Sequence, residues 1–293
     1  MTPEILASQL IGRIGIPVQR RTVAVGGVWT AYIEAGVGDP VLLLHGGDAG
    51  VGGIRWLPVI GPLSRGFRVI VPDMPGYGAS AKPWASYDRE YFSWWLRLFL
   101  AEMELDPIRL VAHSLGGAVA LQCALEAPEK IGQLVLVNAA GLGPSSQKVS
   151  LQLMVRMMWG NLLPTAEGSR WFLSHQVLYD PRHISQELLD IEEYGRSVIR
   201  ASGGKRVFWL GRGKAIEPFA IDQLSRVMCP TVIIWGADDQ NFPLSAAEEA
   251  TRVIPHAQLR VIPKAKHTCF ADRPEEFNSI LIQCLSAAMQ AAR

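Results

Sequence analysis

The chain has 293 residues, 49% of them hydrophobic and 19% charged, with a formal net charge of +1. That is enough apolar material for one large domain with a full core. It carries no charged block of the kind that would make nucleic acid or an anionic membrane the main partner.

Four cysteines, Cys123, Cys229, Cys269 and Cys284, lack the spacing of a metal site or a disulfide framework. They read as thiols of a reducing compartment, so the cytoplasm is the expected location. The opening stretch MTPEILASQLIGRIG contains Glu4 and no long apolar run, so it does not read as a secretory signal. No stretch approaches the roughly 18 unbroken apolar residues of a membrane-spanning helix.

Residues 21–34, RTVAVGGVWTAYIE, place two β-branched and aromatic runs around Gly26-Gly27, which is a hairpin signal. PVLLLHGG (40–47) is a fully apolar run stopped by glycines and predicts a strand buried on both faces. FRVIVPDMPGYGAS (67–80) repeats that pattern, and YDREYFSWWLRLFLAEMEL (87–105) has the amphipathic pattern of a long helix. IRLVAHS (108–114) predicts a strand, GGAVALQCALEAPEK (116–130) a helix of small residues, and IGQLVLVNAAG (131–141) another strand. From 144 to 215 only helical patterns occur. Strands resume at CPTVIIWG (229–236) and AQLRVIP (257–263), and PEEFNSILIQCLSAAMQ (274–290) is the last helix.

This alternation predicts an α/β fold, a mostly parallel sheet with helices on both faces. Residues 1–143 and 216–293 are expected to be two parts of one core domain, with 144–215 a helical insertion over one edge. Active residues of such sheets collect in loops at the carboxyl ends of strands. Four loops fall there: the one after His45-Gly46-Gly47, Ser114, the Gly236–Asp239 turn, and His267.

Ser114 lies in Ala112-His113-Ser114-Leu115-Gly116-Gly117, with a predicted strand before it and a helix after it. A serine hydroxyl is a poor nucleophile at neutral pH. It needs a base within hydrogen-bond reach, and the base needs a carboxylate to hold its tautomer. A sharp strand-to-helix turn holds such a serine in strained backbone, so its neighbours two residues away must be small, as Ala112 and Gly116 are. The Leu115 N–H at the start of the helix and the Gly47 N–H after the VLLLH strand are the candidate oxyanion donors.

His267 follows the last predicted strand and precedes the last helix, where a base is needed. The stretch WGADDQNFPL offers two acids, Asp238 and Asp239. Of the other histidines, His45 reads as structural and His113 as packing behind the serine. His175 and His183 lie in the helical block, and His256 lies in a surface turn.

Together, LLLHGG, VPDMPGYGASAKP, VAHSLGGAVALQCALEAPEKIGQLVLVNAAG, PTVIIWGADDQNFPL and KAKHTCFADRPEEF resemble the α/β-hydrolases along nearly the whole chain. The resemblance implies an α/β-hydrolase fold, with an eight-stranded, mostly parallel sheet and a helical lid over the serine. It implies Ser114 as nucleophile, His267 as base and, from the family's spacing after the glycine, Asp239 as acid. Ala112 stands where the usual G-x-S-x-G motif has its first glycine.

Within the superfamily the chain most resembles the meta-cleavage-product hydrolases, which cut a carbon–carbon bond in dienoates formed by aromatic ring opening. The spacings of Ser114, Asp239 and His267 and the stretch LLPTAEGSRWFLSHQVLYDPRHISQELLD carry that likeness. Family members often self-associate, so a homo-oligomer is left open.

The departures bear on substrate. That branch has Asn before the nucleophile where this chain has His113, and Gly-Gly-Gly-Pro-Gly where it has Gly46-Gly47-Asp48-Ala49-Gly50. A lid arginine for the dienoate carboxylate falls near Glu192, with Arg196 one turn on. After the base, Trp is replaced by Thr268, and before it Gly is replaced by Lys266. Each change removes something that holds or polarises an anionic dienoate.

The expectation is a serine hydrolase that needs no metal or organic cofactor and cleaves an ester or lactone of a small to medium, largely apolar acyl compound. Carbon–carbon hydrolysis of a 2-hydroxy-6-oxo-dienoate or related diketone is the alternative. A non-catalytic small-molecule receptor on the same fold is the reading from another class. The expected substrate contacts are His113, Asp48, Trp159, Trp171, Glu192, Arg196 and Thr268.

Overall fold

The computed structural model describes residues 2–47, 50–143, 165–202 and 215–291. Strands β1 (Val18–Val25) and β2 (Val28–Ala35) form the expected hairpin. Val25 pairs with Val28 across Gly26 and Gly27, whose φ angles of 53° and 81° are the left-handed pair that a two-residue hairpin turn requires.

Six further strands follow: β3 (Pro40–Leu44), β4 (Arg68–Pro72), β5 (Ile108–His113), β6 (Ile131–Val137), β7 (Thr231–Gly236) and β8 (Gln258–Ile262). The sheet has eight strands in the order β1-β2-β4-β3-β5-β6-β7-β8. β2 is antiparallel to β1 and β4, and every other neighbouring pair is parallel. This is the α/β-hydrolase fold expected from the sequence.

Among the described residues, eight helices of seven or more residues accompany the sheet: α1 (Pro3–Gly12), α2 (Leu57–Leu63), α3 (Arg89–Glu102), α4 (Leu115–Glu126), α5 (Ala166–Phe172), α6 (Gln186–Ser202), α7 (Leu244–Val253) and α8 (Pro274–Ala291). Because side chains alternate along a strand, each apolar strand feeds two cores. Leu42, Leu110, Leu134 and Ile233 pack with α3, α4 and α7 on one face. Val41, Val111, Val135 and Ile234 pack with α1, α2, α6 and α8 on the other. Among the described residues, no helix is long and apolar enough to cross a membrane.

Some helices escape the sequence patterns. α2 contains Pro58, Gly61 and Pro62, which read as breakers. Pro58 lies in the first turn, where its missing N–H costs no bond. α3 starts two residues inside its expected range because the Asp88 carboxylate accepts the Tyr91 N–H at 2.9 Å and caps it there.

Between β6 and β7, the described residues 165–202 are helical: α5, one wide turn at Leu173–Val177, a short turn at Pro181–His183, and α6. Leu188, Ile191, Tyr194 and Val198 of α6 pack in the cluster that holds Leu6 and Leu10 of α1. Gly50, at φ 78°, lies so close to α6 that a Cβ there would be 2.3 Å from the Gly195 carbonyl oxygen. This helix therefore rests directly on the loop that follows β3.

Candidate active site

The turn from β5 into α4 holds Ser114 at φ 51° and ψ −119°, a backbone region that side chains other than glycine rarely enter. The surroundings fix it there. Its N–H donates to the Val137 carbonyl at 3.1 Å, and its carbonyl accepts the N–H groups of Gly117 and Ala140 at 2.9 Å each. A Cβ on Gly116 would lie 2.6 Å from the His45 carbonyl oxygen, and one on Gly117 would lie 2.3 Å from the Ala139 Cβ. Both glycines let the first turn of α4 touch the ends of β3 and β6.

Ser114 Oγ is 2.9 Å from His267 Nε2, and His267 Nδ1 is 2.9 Å from Asp239 Oδ2. With Nδ1–H donated to the carboxylate, Nε2 is left to accept the serine proton. The Asp239 side chain is fully buried. Its Oδ1 accepts the N–H of Asn241 at 2.7 Å and of Phe242 at 3.3 Å. Its Oδ2 also accepts Asn138 Nδ2 at 2.7 Å.

Asn138 is a site residue that sequence reasoning missed. It is completely buried at the end of β6, at φ 41°, and its Oδ1 accepts the Gly236 N–H at 3.2 Å. The only signal for it was an asparagine closing the apolar run VLVN. Of the two acids left open by the sequence, Asp239 meets the base and Asp238 is exposed.

The loops carrying Asp239 and His267 touch backbone to backbone. A Cβ on Gly236 would lie 2.3 Å from the Lys266 carbonyl oxygen, and Asp238 N–H donates to the Ala265 carbonyl at 2.9 Å. The Lys266 ammonium reaches into the helical segment and donates to the carbonyls of Ser174 and His175 at 3.2 and 3.1 Å. The Lys266 N–H and the Tyr179 N–H both donate to Asp272 Oδ2 at 2.8 Å. Burial raises the Asp272 carboxyl above its ordinary pKa, and these two donors pull it back.

The loop after β3 lies against the serine turn. A Cβ on Gly46 would be 2.8 Å from His113 Nδ1 and 3.0 Å from Ser114 Cβ. Gly47 follows it, and Leu115 opens α4. His45 ties this loop to the next one: its Nε2 accepts the Met74 N–H at 2.9 Å, so Nδ1 carries the proton that meets the Gly46 carbonyl at 2.7 Å.

The remaining expected contacts are distributed as follows. His113 is buried, its Nε2 is 3.0 Å from the His267 carbonyl oxygen, and its ring packs edge-on to Phe270. Only a protonated Nε2 can meet a carbonyl, so His113 donates to the base's own backbone. Thr268 is buried, and its carbonyl accepts the N–H groups of Ala271 and Asp272. Trp171 is about one-third exposed and stacks on His175 with ring centres 4.6 Å apart.

Glu192 accepts from Arg55 Nη2 at 2.7 Å, where the Arg55 side chain is 2% exposed. Glu192, one of the expected substrate contacts, is thus engaged in an ion pair with Arg55. Arg196 donates to Glu193 Oε2 at 2.6 and 3.0 Å. Asp48 and Trp159 lie outside the described residues.

The profile of the Alpha/beta hydrolase family matches residues 41–280. The chain is 30% identical to a 2-hydroxy-6-oxo-6-phenylhexa-2,4-dienoate hydrolase of Burkholderia cepacia, over 86% of this chain and 90% of that one. It superposes on the solved meta-cleavage product hydrolase from Pseudomonas fluorescens with a TM-score of 0.81 and 26% identity, covering 93% of this chain and 98% of the other. A naproxen esterase from Bacillus subtilis shares the fold with a TM-score of 0.80 at 17% identity, covering 97% of this chain and 96% of the esterase. By profile match, sequence similarity and fold, the chain is an enzyme of the alpha/beta hydrolase family.

Proposed function

We propose that the protein is a serine hydrolase, independent of any cofactor, that cleaves an ester or lactone of a neutral, largely apolar, small to medium acyl compound. The Arg55–Glu192 pair carries this reading. Glu192 stands where the meta-cleavage-product resemblance calls for a carboxylate-binding arginine, and its own carboxylate is held by buried Arg55. Arg196 is likewise engaged with Glu193. An anionic substrate would have to displace an internal carboxylate to gain either cation, whereas an ester or lactone needs neither.

The hydrogen-bonded chain supports a double-displacement cycle. His267, oriented by Asp239, takes the Ser114 proton at Nε2 as Oγ attacks the acyl carbonyl. The N–H groups of Gly47 and Leu115 hold the oxyanion. The imidazolium then protonates the leaving alkoxide, and the acyl group remains on Ser114. His267 next deprotonates water, which attacks the acyl-enzyme and releases the acid. Residues 144–215 act as a lid on a core made of 1–143 and 216–293. The free cysteines suit a reducing cytoplasm.

A second reading is favoured by the relatives named above: hydrolysis of a carbon–carbon bond in a dienoate, with ketonisation of the substrate before Ser114 attacks. Steady-state assays separate the two. One arm offers p-nitrophenyl esters of graded acyl length and an aryl lactone. The other offers a 2-hydroxy-6-oxo-hexadienoate, followed by loss of its visible absorbance. Ester or lactone turnover with an inert dienoate is the expected result. Fast dienoate cleavage would overturn the ester reading. Failure of both arms, with no labelling of Ser114 by a fluorophosphonate, would leave the receptor reading.

A further inference from the structure

A cavity of about 290 Å³ lies away from the Ser114–His267–Asp239 chain, where the β1–β2 hairpin, α1 and α6 meet. Its walls include Ile11, Arg20, Ile33, Ile54, Asp73 and Tyr194. Two of these residues have unused donors. Tyr194 is 2% exposed, yet its hydroxyl makes no hydrogen bond to any described residue. Arg20, exposed at the rim, makes no hydrogen bond or ion pair with any described residue.

Tyr194 forms part of the cavity wall. Burial is the main cause of its raised pKa, and the charges that act on it next are Asp73 and Arg20, both cavity walls, followed by Glu4. The phenol therefore stays a neutral donor. Asp73 Oδ1 accepts the Gly53 N–H at 2.6 Å and its Oδ2 the Ala79 N–H at 2.7 Å, which anchors this carboxylate in the wall. The nearby Lys82 ammonium offsets its charge. Arg21 is held by Gln19 and Glu34, whereas Arg20, whose charge also acts on Glu4, makes no direct ion pair among the described residues.

A buried phenol and a guanidinium facing three isoleucines match one chemistry. We propose that this cavity is a second binding site, for a small monocarboxylate with a short apolar tail. The carboxylate accepts from Arg20 and Tyr194, and the tail lies on Ile11, Ile33 and Ile54. The modest volume excludes large ligands. The walls Ile54 and Tyr194 flank Arg55 and Glu192 in sequence, so an occupant also bridges the hairpin to α6.

The test is ¹⁹F NMR titration of 6,6,6-trifluorohexanoate on protein whose Ser114 has been capped with a fluorophosphonate, so that the catalytic pocket is closed to the probe. The capped protein is expected to give a saturable shift. Tyr194→Phe should weaken binding about fivefold, the loss of one hydrogen bond, and Arg20→Gln about tenfold or more. Arg260→Gln, which lines a separate cavity beside β7 and β8, should leave it unchanged. The methyl ester of the same acid should bind at least tenfold more weakly. Absence of a saturable shift, equal binding by both cavity variants, or equal binding of the ester would each overturn the proposal. The variants report on this cavity whether or not Ser114 takes the cap, so failure here is separable from failure of the catalytic reading.

Discussion

Asn138 and Asp239 are joined by a 2.7 Å hydrogen bond to Oδ2, the same oxygen that receives the His267 Nδ1–H. The Asp239 carboxylate is thus positioned by a strand end as well as by its own turn. Asn138→Ala removes a bond to a charged group, worth about 1.5–3 kcal/mol. The expected loss in kcat/KM is therefore roughly tenfold to a hundredfold, with the fold intact by circular dichroism. Asn138→Asp should instead move the acid limb of the pH–rate profile to higher pH, because a second carboxylate disfavours ionisation of the first. A profile identical to wild type would remove Asn138 from the site.

Ser114 stores backbone strain at φ 51°. Ser114→Ala and Ser114→Gly both delete the hydroxyl and should both abolish turnover. They differ only in the Cβ that makes this backbone unfavourable. Relief of strain of about 1–3 kcal/mol outweighs the chain entropy of glycine, about 0.5–1 kcal/mol. Ser114→Gly should therefore unfold at higher urea than Ser114→Ala. The reverse order would mean that the surrounding hydrogen bonds impose no cost at this turn.

The Arg55–Glu192 pair predicts an asymmetric pattern of damage. Glu192→Ala takes the carboxylate away from a guanidinium that is 2% exposed, at a cost of about 3–5 kcal/mol. Replacing both partners with apolar residues of similar volume, Arg55→Met with Glu192→Leu, should recover most of that loss. A urea double-mutant cycle reads the coupling directly. Simple additivity of the two single losses would show that the pair is not a coupled unit.

Much of this was legible in the chain. The Gly26-Gly27 hairpin, the glycines around Ser114 and the loop of His267 are local features, and local chemistry announces them. Asn138 was invisible because its partner, Asp239, lies on another strand end. Arg55 and Glu192 are 137 residues apart, and no periodicity links them. Glu192 therefore read as a substrate contact, with no sign of its ion-pair partner. α2 was hidden for a reason only partly local: Pro58 sits in its first turn, but Pro62 lies inside the helix, and the Pro58 carbonyl accepts from distant Asn278 Nδ2 at 3.0 Å.

Asp272 gives a pH prediction. Burial raises its folded pKa above the ordinary 3.8. The stability from binding this proton is therefore fully present below that value and is lost as pH rises through the folded pKa. Asp272→Asn does not titrate, and its side-chain oxygen can still accept the N–H groups of Lys266 and Tyr179. The difference in unfolding free energy, variant minus wild type, should grow from about pH 4 toward neutrality and then level off. Urea titrations at stepped pH measure it, and a constant difference would show that the buried charge carries no penalty.

The contact between Gly50 and the Gly195 carbonyl constrains the helical segment. Two stretches of main chain meet there, with the Ile199 side chain alongside. A change in this chain that drives α6 toward that contact must also move the loop after β3, which lies against the Ser114 turn. A helical segment transplanted here would have to fit that loop as closely as α6 does, or displace it.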